Sequence, residues 1–370
     1  MVSTSPGTEA QPTAEVPTRR SAAFHTLRVA KVEPLTEDAV AVTFAVPAEL
    51  RSTFDFAAGQ SLTLRRTVDG REERRNYSIS SAAGEPPRIG VREIPDGLFS
   101  RWLVREVGPG TEIDVQPPTG GFRADPTEAA RHLCIAAGSG ITPMLSIAST
   151  VLTNPDSTVT LLYGNRTTAS VMFLEELADL KNRYGPRFDL VHVLSREPRD
   201  VELFSGRLEG ERLHTILESL VPVAEVDHVW LCGPFAMVTD ARDVLGSLGI
   251  PPERVHVELF YVDEPPPELR HEDPTVSGET TEVTIVLDGR STTAALPRDR
   301  TLLDAAQATR SDLPFACKGG VCGTCRARVR DGEVDMRRNY ALEPAEVEAG
   351  FVLTCQSYPV GERVTVDYDA

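Results

Sequence analysis

The chain runs to 370 residues with six cysteines and carries a net charge of −17 at pH 7. Domains usually hold about 100–200 residues, so two or three are expected, each long enough to bury a core. The acidic balance argues against nucleic acid and anionic membrane surfaces as partners, and its spread along the chain suits solubility.

Residues 1–22 are rich in Thr, Pro, Ser, Glu and Ala and poor in large apolar side chains. Such a composition cannot offset the entropy of ordering, and a disordered tail is expected. The start lacks the basic-then-apolar pattern of a signal peptide, and no apolar run reaches the ~18 residues of a membrane span. From Phe24 the stretches Leu27–Val32, Ala39–Val46, Gln60–Arg65 and Arg75–Ser80 read as short strands separated by turns, which implies an antiparallel barrel. The last of them opens Arg75-Asn76-Tyr77-Ser78-Ile79-Ser80-Ser81, an R-x-Y-S-x-x-S string. Alternate residues of a strand share a face, so a guanidinium, a phenol and hydroxyls on one edge can hold a phosphate and stack on a flat ring. Alone, the string also fits an edge strand with ordinary polar decoration. Further on, Gly90-Val91-Arg92-Glu93-Ile94 leads to Gly97-Leu98-Phe99-Ser100, a glycine before an apolar helix start with Ser100 near its N-terminus, where phosphates bind.

A second domain opens near Glu128. His132–Ala137 is an apolar, buried type of strand that ends in Gly138-Ser139-Gly140-Ile141-Thr142-Pro143 and runs into a helix expected over Met144–Leu152. Strand, glycine turn and helix in that order make a phosphate cradle, here closed by a proline suited to the first helical turn. The next strand, Ser157–Tyr163, should end where an NAD-selecting site keeps an acid for the ribose 2′-hydroxyl, yet the chain reads Gly164-Asn165-Arg166-Thr167-Thr168. A third strand, Phe188–Leu194, ends in Ser195-Arg196. Two arginines and hydroxyls there favour a 2′-phosphate, hence NADPH over NADH, against the alternative that both are solvated loop residues. A further strand, His228–Leu231, delivers Cys232-Gly233-Pro234, and Val255–Phe260 closes the domain with Glu258 and Phe260 near its end. A buried small hydrophobe is the other reading of Cys232, and a core strand end the other reading of Glu258 and Phe260.

Residues 263–281, charged and proline-rich, read as a semi-rigid linker. Past it come a hairpin, Glu282–Gly289 with Ser291–Ala295, a helix over Thr301–Arg310 and a last strand at Arg363–Asp367. Between helix and strand stands Cys317-Lys318-Gly319-Gly320-Val321-Cys322-Gly323-Thr324-Cys325, with Cys355 downstream. This C-x4-C-x2-C…C series has the spacing of plant-type [2Fe-2S] ferredoxins, whereas a zinc knuckle favours two C-x2–4-C pairs. Gly319, Gly320 and Gly323 can take positive φ at little steric cost and can turn their amides toward the sulfurs. Cys134 and Cys232 sit in apolar strands and suggest no disulfide framework, so a reducing, cytoplasmic setting is expected. Two E-x-x-H strings, Glu211–His214 and Glu225–His228, lack the long bundle helices of a di-iron site and are read as accidents.

Together these stretches resemble the ferredoxin-NADP reductase family over Phe24–Val262 and plant-type ferredoxins of the small β-grasp fold over Glu282–Asp369, a combination found in reductase components of multicomponent oxygenases. The resemblance implies an antiparallel β-barrel FAD domain (23–126), an α/β parallel-sheet NAD(P) domain (127–262) and an α+β [2Fe-2S] domain (282–370). It implies that Arg75 and Ser100 take the FAD pyrophosphate, that Tyr77 packs along the flavin and that Ser78 approaches its N5, with Ser81, Val91 and Gly97 in the same stretches. Gly138, Gly140, Thr142 and Pro143 would hold the nicotinamide nucleotide, with Arg166, Ser195 and Arg196 at its 2′-phosphate. Cys232, Gly233 and Pro234 would shape the nicotinamide site, Phe260 would cover the flavin face, and Glu258 would assist hydride transfer. Cys317 and Cys322 would hold one iron, Cys325 and Cys355 the other. The stretches Gly332–Met336, Asn339–Glu343 and Phe351–Gln356 are similar to reductase components of the phenylacetyl-CoA epoxidase type, and occur with variations in reductases of steroid-ring and Rieske-type oxygenases. An electron path from NADPH through FAD and the cluster to a separate oxygenase is the function so implied.

Overall fold

The structure is a computed structural model that describes residues 23–68, 70–95, 97–260, 280–310, 312–342 and 344–370. The expected tail, and residues 263–279 of the expected linker, lie outside the described residues.

The first sheet is built from β1 (His25–Thr36), β2 (Ala39–Ala45), β3 (Ser61–Val68), β4 (Arg71–Ser78), β5 (Arg88–Arg92) and, after helix α1 (Leu98–Arg105), β6 (Glu112–Val115). Its order is β4-β3-β6-β1-β2-β5, all antiparallel, and a bridge from Ile79 to Ile89 brings the two ends together. A closed ring removes free edges, and its interior is filled by Leu27, Phe44, Leu62, Leu64, Ile79 and Ile89, all fully buried. The expected barrel is present.

The second sheet is parallel, in the order β11-β10-β7-β8-β9. Its elements in chain order are β7 (Arg131–Ala137), α2 (Ile141–Val151), β8 (Thr158–Asn165), α3 (Leu174–Tyr184), β9 (Phe188–Leu194), α4 (Gly210–Leu220), β10 (His228–Cys232), α5 (Phe235–Ser247) and β11 (Val255–Glu258). Helices cover both faces, which is why β7 and β10 read as continuous apolar runs. The core on the α2 face also takes in Ala39, Ala41, Ala58 and Phe122, so barrel and parallel sheet share buried side chains. Helix α2 begins at Ile141, earlier than expected, and places Pro143 in its first turn, where a missing N–H costs nothing. Of the two E-x-x-H strings, one lies in α4 and the other runs into β10, as read from the sequence.

The third sheet has the order β13-β12-β16-β14-β15 and mixes parallel and antiparallel pairs. It comprises β12 (Thr280–Leu287), β13 (Arg290–Pro297), α6 (Leu302–Ala306), β14 (Arg326–Met336), α7 (Pro344–Glu348), β15 (Phe351–Leu353) and β16 (Ser357–Asp367). The helix expected over Thr301–Arg310 is only α6. Thr301 caps its start by accepting the Asp304 N–H, and past Ala306 the chain continues only as a turn, with the Thr309 and Arg310 N–H groups donating to the Ala306 carbonyl. Among the described residues no helix is long and apolar enough to cross a membrane.

Candidate functional site

Along β4 successive side chains alternate, so Arg75 and Tyr77 share one face while Arg74, Asn76 and Ser78 share the other. Tyr77 packs on the barrel core beside Phe99, ring centroids 6.2 Å apart, and burial pushes its phenol pKa up. Arg75 is half-exposed; its guanidinium donates to the Arg74 carbonyl at 2.7 Å and pairs with Glu73 at 2.9 Å. Ser100 stands in the first turn of α1, its hydroxyl accepting the Ile94 N–H at 3.1 Å. A Cβ on Gly97 would meet that hydroxyl at 2.6 Å, so this turn requires glycine. Of the other residues named for this site, Val91 has its side chain inside the barrel, leaving only its backbone for a ligand, and the Ser81 hydroxyl accepts the Arg88 N–H.

The glycine turn lies at the C-terminal edge of the parallel sheet, the edge where open α/β sheets bind ligands. Gly138 has φ +56°, and the Tyr163 hydroxyl donates to its carbonyl at 2.9 Å. The Thr142 hydroxyl donates to the Ser139 carbonyl at 3.0 Å, holding the turn onto α2. A Cβ on Gly140 would stand 2.1 Å from the Cys232 carbonyl oxygen, and one on Gly233 would stand 2.5 Å from the Met237 methyl. The Gly138–Gly140 turn and the Cys232–Pro234 turn are therefore pressed together, with Pro234 as N-cap of α5. At Gly140 the place a side chain would need is already taken by the backbone of the second turn, and side-chain-free backbone at this edge of the sheet suits the close approach of a nucleotide phosphate.

Ser78 and Glu258, one on the barrel and one on the parallel sheet, meet directly: the Ser78 hydroxyl donates to Glu258 Oε2 at 2.6 Å. Glu258 is the register partner of Cys232 in the β10–β11 pair, so all three proposed reaction-site residues converge. Burial pushes the Glu258 carboxyl up to about 7, with the Ser78 hydrogen bond working against the shift. Burial, and the adjacent Glu258, push the Cys232 thiol well above its ordinary range, so it stays neutral. A neutral thiol is no nucleophile. Phe260 follows at 38% exposure.

The 2′-phosphate candidates are also brought together. The Arg196 N–H donates to the Arg166 carbonyl at 2.8 Å and the Ser195 N–H to the Asn165 carbonyl at 2.9 Å, which joins the ends of β8 and β9. Ser195 and Arg196 are exposed, whereas the Arg166 guanidinium reaches across to Asp38 of the barrel at 3.2 Å.

In the cysteine loop the four thiols act on one another: the neighbouring Cys322 lowers the pKa of the Cys317 thiol and the neighbouring Cys325 lowers that of the Cys355 thiol, against the effect of burial. Among the described residues no group of three or more His, Cys, Asp or Glu is spaced for a single metal ion. The donor set, three cysteines spaced C-x4-C-x2-C and a distant fourth, fits a [2Fe-2S] cluster, whereas a zinc knuckle favours two C-x2–4-C pairs. The Gly319 N–H donates to Cys317 Sγ at 3.3 Å, and backbone amides of the loop help lower the pKa of the Cys317 and Cys355 thiols. Gly319 does not take positive φ, but Gly320 and Gly323 do, and so does Lys318, at φ +53°. From that conformation Lys318 Nζ donates to Asp304 at 2.7 Å and Gln307 at 2.9 Å, two contacts an unbranched amine on a long stem can make.

The sequence reading missed Arg74. Its side chain, 5% exposed, leaves the barrel and donates to the Leu313 carbonyl, just ahead of the cysteine loop, at 3.2 Å. The signal available was strand alternation: if Arg75 faces the flavin edge, Arg74 faces away from it.

Comparison with known proteins agrees with this geometry. Residues 26–124 match the oxidoreductase FAD-binding domain, 134–243 the oxidoreductase NAD-binding domain and 285–360 the 2Fe-2S iron-sulfur cluster binding domain. The chain is 44% identical to a subunit of the 1,2-phenylacetyl-CoA epoxidase of Escherichia coli K12, over 94% of this chain and 98% of that protein. It is 34% identical to the ferredoxin reductase component of 3-ketosteroid-9-alpha-monooxygenase from Rhodococcus rhodochrous, over 92% and 96% of the two chains. The fold matches that of phthalate dioxygenase reductase with a TM-score of 0.57 and 24% identity, over 93% of this chain and 98% of the other. The chain belongs to the family of that phenylacetyl-CoA epoxidase subunit, NAD(P)H-dependent oxidoreductases that join an FAD- and NAD-binding reductase module to a C-terminal plant-type [2Fe-2S] ferredoxin.

Proposed function

We propose that this protein takes electrons from NADPH and delivers them, through FAD and the [2Fe-2S] cluster, to the di-iron oxygenase that epoxidises phenylacetyl-CoA. The working domain limits are 23–126, 127–262 and 282–370. FAD, when bound, supplies the exchange between a two-electron donor and a one-electron acceptor, which no side chain provides. The protein supplies position and charge. Arg75 and the Ser100 turn bind the pyrophosphate, Tyr77 packs along the flavin, and the Gly138–Gly140 turn with Thr142 and Pro143 holds the nucleotide. Cys232, Gly233 and Pro234 shape the nicotinamide pocket, and Phe260 closes over the flavin face. Ser78 and Glu258 set the charge where the hydride passes.

The observation that carries this reading is the 2.6 Å contact of Ser78 with Glu258, because it joins the flavin strand to the nicotinamide edge at one point. The epoxidase is favoured over a steroid-ring or other Rieske-type oxygenase by the higher identity to the epoxidase relative, 44% against 34%. Purified protein mixed with NADPH and the phenylacetyl-CoA oxygenase components is expected to form epoxide only when substrate is present. Coupled turnover with a steroid-ring hydroxylase instead would move the protein to that second reading.

The choice of NADPH rests on Arg166 and Arg196. Replacing both with Ala should raise the KM for NADPH by about tenfold or more, since a charge-assisted contact is worth ~1.5–3 kcal/mol and less where solvent screens it. NADH should barely respond. Equal losses with both nucleotides would show that Arg166 acts through its Asp38 ion pair across the barrel rather than on a phosphate.

A further inference from the structure

Between the barrel and the cysteine loop runs a stack in which cations and aromatic rings alternate. The Arg65 guanidinium lies 4.0 Å from the Phe24 ring centroid, and Arg74 lies 5.0 Å from the same ring. Arg74 also lies 4.1 Å from the Phe315 ring, over which Lys318 Nζ stands at 4.8 Å. The stack therefore begins on β3, crosses β4 and ends at the residue following Cys317. Arg74 is its centre. A guanidinium only 5% exposed is costly unless paired and hydrogen-bonded, and here Glu72 takes its charge at 2.6 Å while the Leu313 carbonyl accepts from it at 3.2 Å. Leu313 is itself fully buried, so the contact is a built joint and not a surface encounter. The far side of the loop is held as well: Tyr340 packs edge-on against Phe235, the first residue of α5, with ring centroids 5.3 Å apart.

We propose that Arg74, through Phe315 and the Leu313 carbonyl, docks the ferredoxin domain on the flavin barrel and so sets the rate of electron transfer from FAD to the cluster. Arg75 and Arg74 are adjacent on one strand, and alternation turns their side chains to opposite faces, Arg75 to the proposed pyrophosphate contact and Arg74 to the cluster loop. A single strand thus spaces donor from acceptor. The step it governs moves one electron, lost by reduced FAD and gained by the cluster, with no bond made or broken between them. Such transfer falls steeply with separation, so a loosened joint slows it while hydride transfer from NADPH is untouched. Arg74 is a positioning residue in this account, and the account rests on the electron-transfer reading above.

The test compares wild type with Arg74→Leu, Arg74→Lys and Phe315→Leu in the full holoprotein. In Arg74→Leu, rapid mixing with NADPH should bleach the flavin within twofold of the wild-type rate, while the cluster signal develops at least tenfold more slowly. Hydrogen exchange should speed up together in 71–78 and 312–321. Arg74→Lys, which keeps the cation over Phe315, should recover part of both losses. Phe315→Leu, a change outside the barrel, should reproduce the slow cluster reduction, and adding it to Arg74→Leu should cost little more. Unchanged exchange in Arg74→Leu overturns the dock. Loosened exchange with wild-type cluster reduction overturns its role in electron transfer. Loss of FAD or of flavin bleaching along with cluster reduction makes Arg74 a residue of the barrel fold, and also overturns it. If the wild type bleaches its flavin but never reduces its cluster, the electron-transfer reading fails, whereas the exchange data still judge the dock.

Discussion

Cys325→Ser yields a protein that keeps its FAD and has no cluster. Cys325 is 3% exposed and its thiol is influenced by that of Cys355, which lies in the turn between β15 and β16 and closes the site from a later part of the chain. A serine hydroxyl there stays protonated at neutral pH, so one iron loses a thiolate that nothing nearby replaces. The apolar side chains of the flavin strand belong to a different core, in which Tyr77 packs with Phe99, Leu62 and Ile79, and the strand meets the core around Cys325 through Arg74 at Leu313 and Phe315. Ferricyanide, which takes electrons from the flavin, should therefore be reduced at close to the normal rate. Cytochrome c and other one-electron protein acceptors should receive almost none. Iron and acid-labile sulfide content, the flavin absorbance and the two acceptor assays decide it; retained iron with unchanged cytochrome c reduction would be incompatible with the cysteine assignment.

The residues on which this result depends were legible in the sequence because chemistry restricts them to one type at one spacing. Four thiolates must reach two irons, so Cys317, Cys322, Cys325 and Cys355 announce themselves. The glycine turn was legible for a similar reason: at Gly140 the backbone of a second turn stands where a Cβ would go, and only glycine fits. Contacts made by common residue types across long sequence separations were not legible. Ser78 and Glu258 lie 180 positions apart, and Arg74 and Leu313 lie 239 apart. Each looks ordinary in its own strand. Strand β14 was also missed, since Arg326-Ala-Arg-Val-Arg-Asp-Gly-Glu-Val-Asp-Met336 carries charges on both faces and leaves only Ala327 buried. Its strand is held by pairing with β15 and β16 rather than by an apolar alternation. Lys318, not Gly319, takes positive φ, and its side chain reaches Asp304 and Gln307 from that conformation.

Glu258 governs the second large effect. Its carboxyl is pushed up to about 7 by burial, so it is neutral below that pH and ionised above it. Hydride transfer leaves positive charge on a nicotinamide ring, and if the ring binds at the Ser78–Glu258 contact, an ionised Glu258 would stabilise that charge. The wild-type rate of flavin bleaching by NADPH should therefore rise with pH through about 7 and level off above it. Glu258→Gln keeps the shape and a hydrogen-bond acceptor for Ser78 but cannot ionise. By analogy with the loss of one preorganised polar group, its rate should fall by about 10²-fold at alkaline pH, and the profile should become flat. Stability follows the same carboxyl with the opposite sense. The unfolded chain releases this proton near 4.5 and the folded protein holds it to about 7, so rising pH across that window costs the folded state stability. Glu258→Gln removes that slope, and its melting temperature should exceed the wild type's at pH 8 by more than at pH 4. A bleaching rate that falls as pH rises, or a Gln variant that keeps the wild-type profile, would assign the titration to another group and return Glu258 to the core of its strand.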